Sequence, residues 1–206
     1  MDMQAHWSRV YQTKAADDVS WYQATPRVSL DLLRRTGATP ASRLIDVGAG
    51  ASTLVDHLLA NGYATVTLLD IAPEALDAVR ARLGERAASV TFIAGDVTRI
   101  TLPADAYDVW HDRAVFHFLR DPAQRAAYVE SARRALKPGG VVIMATFALD
   151  GPQQCSGLDV MRYDAAGLQR EFGPQFDLVE SMDETHRTPW GGEQQFVYCV
   201  LRRVES

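Results

Sequence analysis

The run Leu44-Ile45-Asp46-Val47-Gly48-Ala49-Gly50 ends an apolar stretch in glycines and passes straight into helix-like sequence. Glycine at a strand-to-helix turn lets the backbone come close to a ligand, and the helix behind it aims N–H groups at the same place. This is the chemistry of a nucleotide-type site in an open α/β sheet. The dinucleotide fingerprint needs a third glycine where this chain has Thr53, which disfavours a nicotinamide or flavin cofactor. Asp70 and Asp96 close two further apolar runs. An ionised carboxylate there offers two acceptor oxygens to a ligand, while aspartate equally starts turns and caps helices. A second polar group follows in His111-Asp112-Arg113, with His117 close behind. An ionised Asp112 could hold His111 or Arg113, and the planar guanidinium of Arg113 could clamp a substrate carboxylate. His117 has two readings, a general base that titrates near neutrality or a packed structural histidine, and the same pair applies to His111. No HxxxH, HExxH or carboxylate-rich spacing occurs, so no metal is expected.

The DxGxG pattern at Asp46 to Gly50 does not stand alone. Asp70 ends the second strand, Gly95-Asp96-Val97 the third, and Lys137-Pro138-Gly139-Gly140 precedes the fifth. Together these resemble the class I S-adenosylmethionine-dependent methyltransferases, from about Arg43 to the C-terminus. The resemblance implies S-adenosyl-L-methionine as cofactor, S-adenosyl-L-homocysteine as its product, and a role for each position. Gly48, Ala49 and Gly50 would pass under the methionine part, and Asp46 would steady that loop or meet the cofactor's ammonium. Asp70 would accept hydrogen bonds from the ribose hydroxyls and Ile71 would lie against the adenine face. Asp96 would take the exocyclic amine, with Val97 beside it. The segment Tyr107 to Leu119 lies beside the methionine portion in the family. That adds Asp112 to the cofactor candidates and His117, Arg113 and His111 to the catalytic ones. The triplet His111-Asp112-Arg113 departs from the commoner Ser-Asn type, so this protein's own chemistry is expected there. His6-Trp7 through Lys14 to Val19-Ser20-Trp21-Tyr22-Gln23 resembles a leading segment that folds over the cofactor in a bacterial branch, making Trp21 a further cofactor candidate. Its aromatics either stack on a ligand or pin the helix to the core.

The elements that must position these residues alternate. Apolar runs at Arg43–Val47, Thr65–Asp70, Val90–Ala94, Val109–His111 and Val141–Phe147 read as strands, and Leu54–Ala60, Glu74–Leu83 and Ala123–Leu136 read as helices. This alternation predicts βαβ units around a parallel sheet. Pro73 and Pro122 suit first helical turns, Asp121 suits an N-cap, and Thr53 with Asp56 has capping-box spacing in competition with Ser52. Lys137-Pro138-Gly139-Gly140 reads as the turn between helix and strand. After Asp150 come a loop (Gly151 to Arg162), a short helix (Ala165 to Phe172) and two long strands, Phe176–Glu184 and Gln195–Arg202, joined by a turn-rich Thr188 to Gly192. The expected fold is α/β, a Rossmann-like doubly wound sheet of about seven strands with the last antiparallel. Residues 1–40 form an N-terminal helical lid, with helices at Gln4–Lys14 and Arg27–Arg35, and residues 41–206 form the methyltransferase domain.

Composition narrows the partners. The chain has 206 residues, 47% hydrophobic and 23% charged, with a formal net charge of -5, so it carries a normal core and no bulk positive field for nucleic acid. Its longest apolar stretch is far below the ~20 residues of a membrane span, its N-terminus lacks signal-peptide character, and two cysteines form no disulfide framework. A cytoplasmic enzyme with a small-molecule methyl acceptor is expected, with no nucleic-acid or membrane partner. Protein lysine methylation and a catalytically silent cofactor-binding module are the alternatives.

Overall fold

The computed structural model describes residues 2–205; Met1 and Ser206, the outermost residues of the two expected segments, lie outside the described residues. In chain order the elements are α1 (Met3–Thr13), α2 (Arg27–Arg35), β1 (Arg43–Val47), α3 (Leu54–Ala60), β2 (Thr65–Asp70), α4 (Pro73–Leu83), β3 (Val90–Ala94) and β4 (Tyr107–Arg113). They continue with α5 (Pro122–Ala135), β5 (Leu136–Phe147), β6 (Gln154–Cys155), β7 (Leu158–Asp159), α6 (Ala165–Phe172), β8 (Phe176–Arg187) and β9 (Glu193–Arg203). A seven-stranded sheet runs β3-β2-β1-β4-β5-β9-β8. Strands β1 to β5 pair in parallel, and β9 is antiparallel to both of its neighbours. The strand order reverses between β1 and β4, the switch point where an open α/β sheet leaves a crevice at its carboxyl ends.

Alternation along the strands sorts side chains to two cores. Leu44, Val66 and Val109 pack with Leu32 of α2, Leu54 of α3 and Leu76 of α4. Ile45, Trp110 and Val142 pack on the other face with Tyr128 of α5 and Leu168 of α6. A sheet covered on both sides requires near-continuous apolar strands, which Val141 to Phe147 supplies. No described helix is long and apolar enough to cross a membrane.

Helix starts follow the local chemistry in part. Asp121 Oδ1 accepts the Ala123 N–H at 2.9 Å, and Pro73 and Pro122 occupy first turns. The Thr53–Asp56 capping box does not form. Ser52 Oγ accepts the Leu54 N–H at 3.1 Å, Thr53 Oγ1 instead donates to the Gln23 carbonyl at 2.8 Å, and Asp56 pairs with Arg82 and Arg86. Long-range partners outcompete the local motif. Several boundaries also differ from expectation, and β8 and β9 run on to Arg187 and back to Glu193. Strand β4 extends beyond Val109–His111 at both ends, and β5 begins directly at Leu136, so the Lys-Pro-Gly-Gly run becomes an irregularity within the strand, marked by a register shift opposite Tyr107 and Val109. The loop expected at Gly151 to Arg162 contains the β6–β7 hairpin. Its turn is Ser156-Gly157, both at positive φ.

Candidate functional site

Over the switch point lies a cavity of about 430 Å³. Its floor is Gly48-Ala49-Gly50. Asp70, Ile71, Asp96 and Val97 at the ends of β2 and β3 form one wall, and His111, Arg113 and Ala114 at the end of β4 form the other. Trp7 and Tyr11 of α1, with Trp21, lie across the top. The structure therefore brings Trp21, Asp46, Gly48, Ala49, Gly50, Asp70, Ile71, Asp96, Val97, His111 and Arg113 to one cavity. Of the expected site residues, Asp112 and His117 are not among its lining.

The floor is shaped by conformation as well as composition. Gly48 and Gly50 sit at φ 64° and 52°, the left-handed region that favours glycine. A Cβ on Gly48 would collide with Cγ2 of Val115, and one on Gly50 with the hydroxyl of Tyr11. The N–H groups of Gly48 and Ala49 donate to the Leu69 carbonyl at 2.7 and 3.1 Å, which ties the turn to β2. Asp70 completes the tie: Oδ2 accepts the Gly50 N–H at 2.7 Å and Oδ1 the Ala72 N–H at 2.8 Å. Burial pushes the Asp70 carboxyl up to about 6 against the pull of these backbone donors. Burial, followed by the Asp70 charge, raises the Tyr11 phenol well above its ordinary value. Asp96 stands at the rim, where Oδ1 accepts the Thr98 N–H and hydroxyl at 2.9 and 2.7 Å.

On β4 the register decides who meets whom. Asp46 lies opposite His111 across the parallel β1–β4 pair, on the face covered by α2. His111 Nδ1 is 2.6 Å from Asp46 Oδ1, and His111 Nε2 is 2.8 Å from Ser29 Oγ of α2. All are buried and all border the cavity. A carboxylate accepts only, so Nδ1–H donates to Asp46, and in that tautomer Nε2 accepts the Ser29 hydroxyl. The pairing of Asp46 and His111 is implicit in the strand register. Nothing in the sequence singles out Ser29.

Arg113 is committed elsewhere. Nε donates to Tyr198 Oη at 2.9 Å, Nη1 donates to the Trp21 carbonyl at 3.0 Å, and the guanidinium lies over Phe196 at 4.5 Å. Nη2 is buried, 3.7 Å from Glu184 Oε2. The expected clamp for a substrate carboxylate is thus already engaged with the protein, and it holds the segment that carries Trp21. Other side chains grip the same segment. His186 Nε2 meets the Ser20 carbonyl at 2.7 Å, Thr53 the Gln23 carbonyl, and His57 Nε2 the Ala24 carbonyl at 3.1 Å. These anchors, like Tyr11 over Gly50, carry no local sequence signal.

Two expectations are corrected. Asp112 points to the α5 face, where Oδ1 accepts the Val115 N–H at 2.9 Å and Oδ2 accepts the Phe116 N–H at 3.2 Å and the Tyr128 hydroxyl at 2.5 Å. It braces the turn containing Ala114, at φ 74°, and its carboxyl is pushed up to about 6 by burial. It is neither a cofactor contact nor a hydrogen-bonded holder of His111 or Arg113. His117 is fully buried between the rings of Phe118 and Phe147, and its Nδ1 accepts the Phe147 N–H at 3.3 Å. Burial and then the Arg113 charge push it down to about 3, so it is neutral at physiological pH, and it does not line the switch-point cavity. The packed structural reading of His117 holds.

With this geometry in view, residues 44–140 match the model of a methyltransferase domain family. The malonyl-[acyl-carrier protein] O-methyltransferase of Prosthecochloris aestuarii is 26% identical over 175 residues, 81% of this chain and 62% of that protein. This chain therefore spans under two thirds of that relative's length. Nodulation protein S of Rhizobium tropici is 26% identical over 196 residues, 93% of this chain and 77% of that protein. In fold, the chain is similar to the 1,6-didemethyltoxoflavin-N1-methyltransferase of Burkholderia thailandensis, solved with its substrate and S-adenosylhomocysteine. The TM-score is 0.71 at 20% identity, covering 98% of this chain and 88% of that one. The glycine turn, the switch-point cavity and these likenesses converge: residues 44–140 match a methyltransferase domain, and the chain shares the fold of S-adenosylmethionine-dependent methyltransferases.

Proposed function

We propose that the protein moves the methyl group of S-adenosyl-L-methionine to an oxygen, nitrogen or sulfur nucleophile of a small molecule by in-line displacement. The observation that carries this reading is the roofed cavity at the switch point, floored by glycines and bordered by the end of β4. The residues fit the cofactor, because the left-handed turn at Gly48 and Gly50 has no room for a Cβ beside Val115 and Tyr11 and its backbone borders the cavity directly. Gly48 to Gly50 would pass under the methionine part, Asp70 would take the ribose hydroxyls, Ile71 and Val97 would flank the adenine, and Asp96 would meet its amine. When bound, the cofactor supplies a sulfonium methyl carbon that is already electrophilic.

The chain's own contribution is alignment and exclusion of water. Residues 20–24, bonded to β4, α3 and β8, form a fixed strap with Trp21 over the cavity. We read residues 1–40 as a lid on a catalytic domain of residues 41–206, with α1 as its moving part. Helix α1 is latched by Ser8 and Gln12 to Glu74, at 2.6 and 2.8 Å, and carries Tyr11 over the glycine turn. A roofed cavity of this size favours a small acceptor, and the similar 1,6-didemethyltoxoflavin-N1-methyltransferase binds a small molecule.

The test is transfer of a labelled methyl group from S-adenosylmethionine into an extract of the source cells, separated into small-molecule and protein fractions. Label in the small-molecule fraction is expected, reduced by Asp70→Ala, which weakens cofactor binding by ~1.5–3 kcal/mol. Label on protein lysine overturns the small-molecule reading. Tight binding of S-adenosylhomocysteine with label in neither fraction overturns catalysis in favour of a silent module.

A further inference from the structure

A buried chain of polar groups lies along the β4 side of the cavity and is used by none of the contacts assigned to the cofactor's adenosine. Ser29 of α2, His111 of β4 and Asp46 of β1 stand in line, Oγ to Nε2 at 2.8 Å and Nδ1 to Oδ1 at 2.6 Å. Three separate elements converge to build it, and each residue borders the cavity. A nucleophile's partner, a base and an orienting carboxylate in sequence are the parts of a proton-accepting relay. We infer that Ser29–His111–Asp46 takes the proton released by the methyl acceptor, whose attacking atom is a neutral O–H or N–H. This rests on the methyl-transfer reading and deepens it.

The arrangement favours this role over a purely structural one. The Asp46 carboxylate fixes the imidazole with Nδ1–H turned away from the cavity end of the chain, so the basic lone pair of Nε2 meets the Ser29 hydroxyl. A hydroxyl both donates and accepts, so it passes a proton along without changing its own charge. The charged groups around the imidazole are Asp46 from β1, Arg113 two residues along β4 and Asp112 behind the strand. Helix α2 brings the Ser29 hydroxyl. Asp46, at 2.6 Å from Nδ1, offsets the charge of the imidazolium that forms.

The step balances. As the acceptor's oxygen or nitrogen bonds to the methyl carbon, the carbon–sulfur bond breaks and its electron pair stays on sulfur, giving a neutral thioether. The acceptor's proton goes to Ser29 Oγ while the Ser29 proton goes to His111 Nε2. The imidazolium then returns its proton to solvent when the cavity opens. An acceptor that already reacts as an anion has no use for this chain, which is why a weakly acidic hydroxyl or N–H is the class it fits.

The experiment uses the full chain, labelled S-adenosylmethionine and the small-molecule fraction of a source-cell extract, with transfer followed across pH. His111→Gln is expected to slow transfer by about 100-fold or more and to remove the fall in rate on the acidic side. Ser29→Ala is expected to slow it by roughly tenfold, with affinity for S-adenosylhomocysteine kept in both variants. Nitrogen-15 NMR of the wild type at neutral pH is expected to show His111 protonated on Nδ1 with Nε2 bare. This readout needs no acceptor and survives a variant that fails to fold. An Nε2-protonated tautomer overturns the relay whatever the activity. Wild-type rates and pH profile in a folded His111→Gln overturn the relay and leave methyl transfer standing. Absence of any transfer by the wild type brings down both readings.

Discussion

His111 and Asp112 are neighbours on β4, and the sheet lies between their surroundings. On the α2 side, His111 stands between Asp46 and Ser29 and borders the cavity. On the α5 side, Asp112 is saturated by Tyr128 and the N–H groups of Val115 and Phe116, and Trp110 Nε1 donates to the same Tyr128 hydroxyl at 2.8 Å. Both are networks of buried polar groups. One borders the cavity, whereas the other ends in protein and holds a strained turn. Residue type alone does not assign chemistry here; strand parity does.

The largest effect that would break this comparison is expected at the closed network. Asp112→Ala leaves the Tyr128 hydroxyl and both backbone N–H groups without their acceptor, so stability should fall by about 3 kcal/mol or more in denaturant titration. An unchanged midpoint would remove the bracing role assigned to Asp112. The junction of the two sides comes next. Gly48→Ala places a methyl against Val115 at a left-handed φ, with an expected loss of about 2 kcal/mol together with much weaker binding of S-adenosylhomocysteine.

The open side responds to pH through Asp70. Its folded-state value of about 6 means that acidification protonates the carboxylate and removes the charge-assisted acceptor proposed for the ribose. Affinity for S-adenosylhomocysteine should therefore be flat above that value and fall about tenfold per pH unit below it. Calorimetry at about pH 5, 6 and 7.5 checks this, and Asp70→Asn should abolish the slope. The smallest effect is expected at His117. Its replacement by Asn should cost about 1 kcal/mol of stability and leave the pH profile of methyl transfer in place. A changed profile would restore the general-base reading that its burial rejects.

Much of this was legible beforehand, for reasons that differ by element. Arg43–Val47, Thr65–Asp70 and Val90–Ala94 were bounded correctly: the first two are buried on both faces and so must be short apolar runs, while the turn at Gly95-Asp96 closes the more exposed edge strand. The glycine turn was legible because only glycine tolerates its left-handed backbone next to Val115 and Tyr11. Boundaries slipped where pairing, not composition, sets the end. Strand β4 runs on through Asp112 and Arg113, polar residues that hydrogen bonding to β5 keeps extended. The capping box failed because Thr53 and Asp56 found partners far away in sequence.

The sequence by itself determined a parallel α/β sheet, a glycine turn at Gly48 to Gly50 and acidic residues at or just after the ends of β2 and β3. Each follows from short-range rules of periodicity, steric freedom and turn chemistry that act within a few residues. Only the tertiary structure decided what the polar residues of β4 do. Whether a histidine meets the cavity or the core depends on strand parity, on which helix covers that face, and on partners such as Ser29, 82 residues from His111. Burial then sets the protonation: the same imidazole chemistry is silenced at His117, while at His111 it is oriented by Asp46 toward Ser29 and the cavity.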